Sequence, residues 1–361
     1  MRNPLSRLPL LIAVTGLMVG GLPTARAADS AAMPKVAVEN IRRVFHDGNH
    51  NAFTDLVRFA NRFYLTFRSC PDGHMVHPTS CIIVLVSDDA QNWRETHRFS
   101  APLRDTRDPH FLVFKNRLFV YTGTWFSGPT TLAREDYDLN KHLGFAAWTE
   151  DGQQWRSPVM LEGTFGHYIW RANQWNDKAY LCGRRKAGFA IGPRGEGDEV
   201  ESLMLESDDG LIWRKAAVFQ QREGDDTAFL FQSDGSLIGI GRRGRANAQL
   251  LQSSPPFEHF VRTDLDRYIG GPLIAQWNQR LVVAGRHNTV DRGPKTSFCW
   301  LVNGQLQEFA ELPSGGDNSY PGFVPLSDDR ALISYYSSHE KTPEGKSITA
   351  IYLAELRLLR P

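Results

Sequence analysis

"SDDGLIW", residues 207–213, is the stretch on which the fold turns. It recurs as "SDDAQNW" (87–93) and "TEDGQQW" (149–155). All three run Ser or Thr, any residue, Asp, Ala or Gly, two further residues, then Trp. An Asp before a small residue suits a tight turn, because its carboxylate can accept backbone N–H groups ahead of it. The Trp then begins the next strand and packs beneath its neighbours. Three matches at similar offsets mark a repeat.

Working outward, each motif lies downstream of a hairpin, and the same hairpin occurs six times: "FANRFYLTFR", "FKNRLFVYTG", "WNDKAYLCGRR", "QSDGSLIGIGRR", "WNQRLVVAGRH" and "LSDDRALISYY". Each is an apolar strand, a polar turn and a second strand. The second strands begin near residues 62, 117, 178, 236, 280 and 330, a spacing that reads as an array of like units. Six units of about four short strands predict an all-β fold, a six-bladed β-propeller. The blades start near residues 52, 107, 167, 225, 270 and 318, and "KVAVENIRRVF" (35–45) closes the last blade as its outer strand. "GPRGEGDEVE" (192–201) and "SSHEKTPEGK" (337–346) read as exposed loops.

The chain opens MRNPLSRLPLLIAVTGLMVGGLPTARA, with Arg2 and Arg7 before an apolar run and Ala25-Arg26-Ala27 as a cleavage site. That pattern predicts a secretory signal peptide over 1–27, an exported (periplasmic or extracellular) protein and a single propeller domain over 28–361. The run is too short for a transmembrane helix. Removing three arginines moves the formal charge from +1 to −2 (38 basic against 40 acidic residues), which points away from nucleic acid as a partner. In an oxidising compartment the four cysteines suggest disulfides before metal thiolates. In "RSCPDGHMVHPTSC" (68–81), Cys70 and Cys81 flank a loop at a hairpin mouth and are predicted to bridge, with no metal bound. Cys182 and Cys299 read as buried thiols.

In a propeller, the starts of first strands and the ends of second strands converge at one mouth of the central channel. The aligned second strands end in Arg68, Gly123, Arg184, Arg242, Arg286 and Tyr336. Four guanidinium groups at one mouth suit a ligand carboxylate, for which Arg offers planar, permanently charged, bidentate donors. The alternative is that they pair with acids such as Asp55, Asp108 and Asp226 and brace the rim. Trp125, Trp170, Tyr320 and Tyr335 at the same ends suit sugar-ring contacts. The expected partner is an acidic oligosaccharide or glycoconjugate, with no cofactor.

With six blades, three Asp-box-like turns and the terminal stretch "NSYPGFVPLSDDRALISYYSSHE", the chain resembles the sialidase (neuraminidase) superfamily, and more closely its exported bacterial members. The resemblance covers almost all of the mature chain. It implies an exo-acting glycoside hydrolase in which arginines bind the sugar carboxylate, a tyrosine attacks the anomeric carbon and an Asp serves as general acid. Tyr320 matches the nucleophile, Asp226 its acidic partner, and Arg242 and Arg286 members of the arginine triad. The first blade departs from the family pattern: "AFTD" (52–55) carries no arginine, so Arg68 would substitute from the adjacent strand. The acid is open among Asp55, Asp72 and Asp108. Two other readings stand beside this one. A uronate lyase would use His74, His77, His167 or His287, all placed near the mouth, as base. A non-catalytic propeller would use the same rim for glycan binding. "DTRDPHF" (105–111) also resembles the Arg-Asp-Pro motif of furanosidase-type glycosidases, in which the Asp stabilises the transition state.

Overall fold

A blade needs four short antiparallel strands, and alternating apolar and polar residues on either side of each turn supply them. The computed structural model describes residues 33–189, 192 and 199–359. Twenty-four strands form six four-stranded sheets, a six-bladed β-propeller with no α-helix among the described residues. Among the described residues no helix is long and apolar enough to cross a membrane. The innermost strands are His50–Phe59, Arg104–Phe114, Tyr168–Trp175, Gly224–Phe231, Gly270–Trp277 and Asn318–Pro325, close to the predicted starts. Val36–Phe45 pairs antiparallel with Ser347–Leu358 at the outer edge of blade 6, which closes the ring as the sequence predicts. The predicted signal segment 1–27 lies outside the described residues, as does most of the predicted loop 192–201. The other predicted loop is shorter than expected: strand Arg330–Lys341 runs through its first half, and Thr342 N–H meets the Lys346 carbonyl at 2.8 Å to make the turn.

Blades pack through apolar faces. Tyr64, Val84, Phe111 and Leu118 interlock between blades 1 and 2, and Trp277 stacks on Trp300 in blade 5 at 5.8 Å. Each such side chain, fully buried, contributes about 1.5–3 kcal/mol.

The three Asp motifs form the turns between third and fourth strands of blades 1 to 3, at the end of the ring opposite the mouth. Asp209 Oδ1 accepts the N–H groups of Leu211 (2.8 Å) and Ile212 (2.9 Å) and the Ser207 hydroxyl (3.0 Å). Asp89 and Asp151 each accept two backbone N–H groups in the same way. The turns also tie blades together. Tyr64 donates to the Gly152 carbonyl (3.2 Å) and Tyr121 to the Gly210 carbonyl (3.0 Å), each from the preceding blade. Gly152 is required there: its φ is +73°, and a Cβ would lie 1.9 Å from the Tyr64 hydroxyl. Because this machinery is remote from the mouth, Asp209→Ala is expected to lower stability by about 1 kcal/mol, the scale of a lost hydrogen bond, in urea denaturation. Ligand turnover by the folded variant should be unchanged.

Candidate active site

Each innermost strand slips register by one residue near its mouth end. The shifts fall between Ala52 and Asp55, Arg107 and His110, Ile169 and Ala172, Gly224 and Thr227, Gly270 and Leu273, and Ser319 and Gly322. A bulge sets two residues against one and re-aims their side chains. In four blades its first residue has positive φ: Phe53 (62°), Asp108 (54°), Gly271 (57°) and Tyr320 (52°). Three of these are not glycine, and such backbone strain concentrates where side chains are held for function. Gly271 makes room, since a Cβ there would sit 2.6 Å from the Tyr320 ring. The Tyr320 ring then packs against Phe53 (4.9 Å), Trp170 (5.2 Å) and Tyr336 (5.8 Å).

Arg107, 5.3 Å over the Phe53 ring of this cluster, also walls a cleft of about 750 Å³, together with Arg184, Arg242, Asp225, His74, Trp125, Tyr137 and Arg134, among others. Tyr320, Asp226 and Asp108 do not line the wall; each is buried, while their chain neighbours Arg107 and Asp225 do line it.

The arginines are held by acids at the start of the next blade. Arg68 meets Asp105 (2.9 Å), Arg184 meets Asp225, and Arg286 meets Asp317 (2.9 Å). The bracing expected as an alternative is therefore present, but with Asp105, Asp225 and Asp317 in place of Asp55, Asp108 and Asp226, save that Asp226 Oδ2 also accepts from Arg242 Nη1 (3.0 Å). Bracing does not consume all the donors. Asp105 is shared by Arg68 and Arg107 (3.2 Å), and Asp225 by Arg184 and Arg242 (3.3 Å). Among the described residues, Nη2 of Arg184, Nη2 of Arg242 and Nη1 of Arg107 make no hydrogen bond.

The acids divide by environment. Burial works against ionising Asp105 and Asp225, but Arg107 and Arg68 outweigh it at the first, and Arg184 and Arg242 at the second, so both stay carboxylates. Asp226 is pushed up, by burial and then by the Asp225 charge beside it. Asp108 is raised well above the carboxylate range, chiefly by burial, and its Oδ1 is buried without a partner. Burial, then Asp226, holds Tyr320 as a neutral phenol. Asp226 and Asp108 both act electrostatically on Tyr320, and both carboxyls are raised, as suits groups that move protons near neutral pH.

Several predicted site residues stand elsewhere. Arg68 is fully buried, bound to Asp105 and to the carbonyls of Gly73 and Met75; the arginine facing the cleft from this side is Arg107. Asp55 stands away from the cleft wall, as a buried ion-pair partner. It pairs with Arg171 (3.0 Å) and accepts the Phe111 N–H (2.9 Å), and against the cost of burial Arg171 and His110 keep it ionised. His77 is buried against Thr131 (2.8 Å). His167 is buried and its pKa pushed down to about 4 by desolvation, and His287 turns to Glu308 (3.6 Å). None of the three lines the cleft. His74 does, and Trp125 stands at the wall against Tyr137 (5.1 Å). Arg286 lies 5.9 Å from the Tyr320 ring, and the buried Tyr336 donates to Asp317 (2.8 Å). Arg134 and Tyr137 come from the long connection 127–142 of blade 2, which carries no motif that marks it in the sequence.

Cys70 and Cys81 are free thiols, contrary to the predicted bridge. Cys81 is the register partner of Ser69, not of Cys70, and side chains alternate faces along a strand. The Cys70 thiol therefore points to Thr79 (3.7 Å) and that of Cys81 to Arg98 (3.5 Å), on the other face. A reductant is accordingly expected to leave the melting temperature unchanged, where loss of a disulfide would cost about 2–5 kcal/mol. Alkylation of the unfolded chain should modify all four cysteines.

No protein-family model and no curated protein matches this chain. Solved structures do. A protein of unknown function from Dyadobacter fermentans DSM 18053 superposes with TM-score 0.75 at 17% identity, over 91% of this chain and 100% of its own. Trypanosoma rangeli sialidase gives TM-score 0.62 at 14% identity, over 86% of this chain and 55% of its own, so the chain spans about half of that enzyme. Phage phi92 endosialidase gives 0.62 at 10% identity, over 90% and 70%. At these identities the likeness establishes the fold, a sialidase-like six-bladed propeller.

Proposed function

We propose that the chain, exported after removal of residues 1–27, is a glycoside hydrolase that removes a terminal acidic sugar, a sialic or uronic acid, from an oligosaccharide. The observation that carries this reading is the pair Arg184 and Arg242 sharing one carboxylate, Asp225. The shared acid fixes both guanidiniums and leaves unpaired N–H donors at the cleft wall for a sugar carboxylate. Arg107 repeats the arrangement with Arg68 on Asp105.

The chemistry follows from the cluster around Tyr320. A phenol is a suitable nucleophile beside a bound carboxylate, which would repel an anionic one. Tyr320 must lose its proton as it attacks, and Asp226, with its raised pKa, is matched to take it near neutral pH. Asp108, neutral and without a partner for Oδ1, donates a proton to the leaving oxygen. As a carboxylate it then takes a proton from the water that displaces the sugar from Tyr320, and Asp226 returns its proton to the phenol. A second reading, β-elimination from a uronate, is favoured by one observation: His74 reaches the cleft with Nδ1 held by Asp317 at 2.8 Å.

The test is a panel of sialylated, glucuronate-capped, sulfated and neutral oligosaccharides, with products separated by anion-exchange chromatography. Release of the saturated terminal acidic sugar is expected, with neutral caps untouched. An ultraviolet-absorbing unsaturated product would select elimination, and tight binding without any product would leave a lectin-like propeller.

A further inference from the structure

The loop that carries Cys70 and Cys81 also brings His74 to a place the sequence does not single out. His50, the first residue of the blade 1 inner strand, and Asp317, just before the blade 6 inner strand, meet it there. His50 Nε2 lies 2.9 Å and His74 Nδ1 2.8 Å from the same oxygen, Asp317 Oδ2. All three ligand atoms lie within 4.8 Å of one another. From this cluster we propose a divalent transition-metal site, best suited to Zn2+, with two imidazoles and one carboxylate as protein ligands.

Three features support it beyond proximity. Two nitrogens and one oxygen are donors that zinc accepts, and three protein ligands leave a position open. The free Asp317 oxygen, Oδ1, is occupied by Arg286 Nη2 (2.9 Å) and the Tyr336 hydroxyl (2.8 Å), so Oδ2 is the one turned to the imidazoles. Outer partners that orient a ligand in this way are a regular feature of metal sites. Finally, His74 lines the cleft and its side chain is about half exposed, so the open position faces the ligand space. A hydroxyl or carboxylate oxygen of a bound sugar could complete the coordination there.

Geometry requires only a small opening. Two metal–ligand bonds of about 2 Å at a tetrahedral angle put the ligand atoms roughly 3.3 Å apart, against the 2.8 and 2.9 Å observed. Arg68 Nη1, 3.5 Å from His50 Nδ1, is too distant for a strong hydrogen bond. Nη1 already donates to the Gly73 carbonyl at 3.0 Å, so the weak contact with the imidazole is given up when Nδ1 carries the ring proton and Nε2 coordinates. Metal on His74 also removes it as a proton acceptor, so this site and the elimination reading exclude each other. The site does not depend on hydrolysis at Tyr320.

The experiment uses the tag-free mature chain, stripped with a chelator and titrated with ZnCl2 by calorimetry, then with CoCl2 by visible absorption. One equivalent per chain is expected, with a Co2+ band typical of low coordination number. His74→Ala should weaken binding by roughly 100-fold or more, beyond the ~10–100-fold lost with an outer partner. Tyr336→Phe, which keeps the ring and removes the hydroxyl on Oδ1, should fall within that smaller range. His46→Ala, at an exposed neighbouring histidine, should change nothing. Absence of stoichiometric binding would reduce the cluster to two N–H groups bracing one carboxylate, and binding that survives His74→Ala would place the metal elsewhere; either result overturns the proposal.

Discussion

Tyr320→Phe is expected to abolish release of the acidic sugar while leaving its affinity within a few-fold of wild type. The substitution removes one oxygen and keeps the ring against Phe53 and Trp170, so the bulge and the aromatic cluster should persist. The arginines that would hold the carboxylate are fixed by Asp105, Asp225 and Asp317, not by the phenol. Loss of a covalent nucleophile lowers kcat by at least about 10³-fold, with KM or Kd little changed. The check is kcat and KM on the best substrate of the panel, with a parallel calorimetric titration by the free sugar. Turnover within tenfold of wild type would remove Tyr320 from the reaction, whereas equal losses of binding and turnover would give it a packing role.

Asp108→Asn should act in opposite directions on activity and stability. The buried carboxyl stays protonated in the folded chain well above the pH at which it ionises when unfolded. Between those two values the folded state holds a proton that the unfolded state has released, so stability falls as pH rises above about 4. Below that pH both states are protonated and the penalty vanishes. An amide cannot ionise, so the variant should be more stable than wild type at pH 7 and little changed at pH 4, measured by urea denaturation at both. Turnover should fall by about 10²–10⁴-fold, the usual contribution of a placed general acid, and the alkaline limb of the wild-type pH–rate profile should disappear. Greater stability with undiminished turnover would mean that Asp108 is only a buried burden. Unchanged stability at pH 7 would mean that it is ionised in the fold.

The six hairpins and the Asp turns were legible because their signals are local. A polar pair between two apolar runs needs no distant partner, and an Asp that caps its own turn declares itself within seven residues. The closing strand was legible by elimination, as an apolar run left over before the first hairpin. The site was legible only in part. Aligning second strands found Arg184 and Arg242 because both end at the mouth on one acid, Asp225, from blades 3 and 4. The same alignment selected Arg68, which lies beneath the surface at Ala52, and overlooked Arg107, which comes from a first strand opposite Gly123. Bulges were invisible, since a two-against-one slip has no composition of its own. They nevertheless place Asp108 and Tyr320 at equivalent positions of blades 2 and 6. The predicted disulfide failed by a single residue of register, which is enough to send two thiols to opposite faces. The meeting of His50, His74 and Asp317 depends on blade 6 touching blade 1 and could not be read along the chain.

Hydrolysis through a covalent tyrosine is tested most directly by identifying the residue that bonds to the sugar. Wild-type protein is mixed with its best acidic substrate, quenched in acid within milliseconds, digested, and searched by mass spectrometry for a glycosyl adduct. The adduct is expected on Tyr320, within "NSYPGFVPLSDDR" (318–330), and should be absent from Tyr320→Phe. Steady turnover with the adduct on another residue, or with an unsaturated product, would contradict this mechanism.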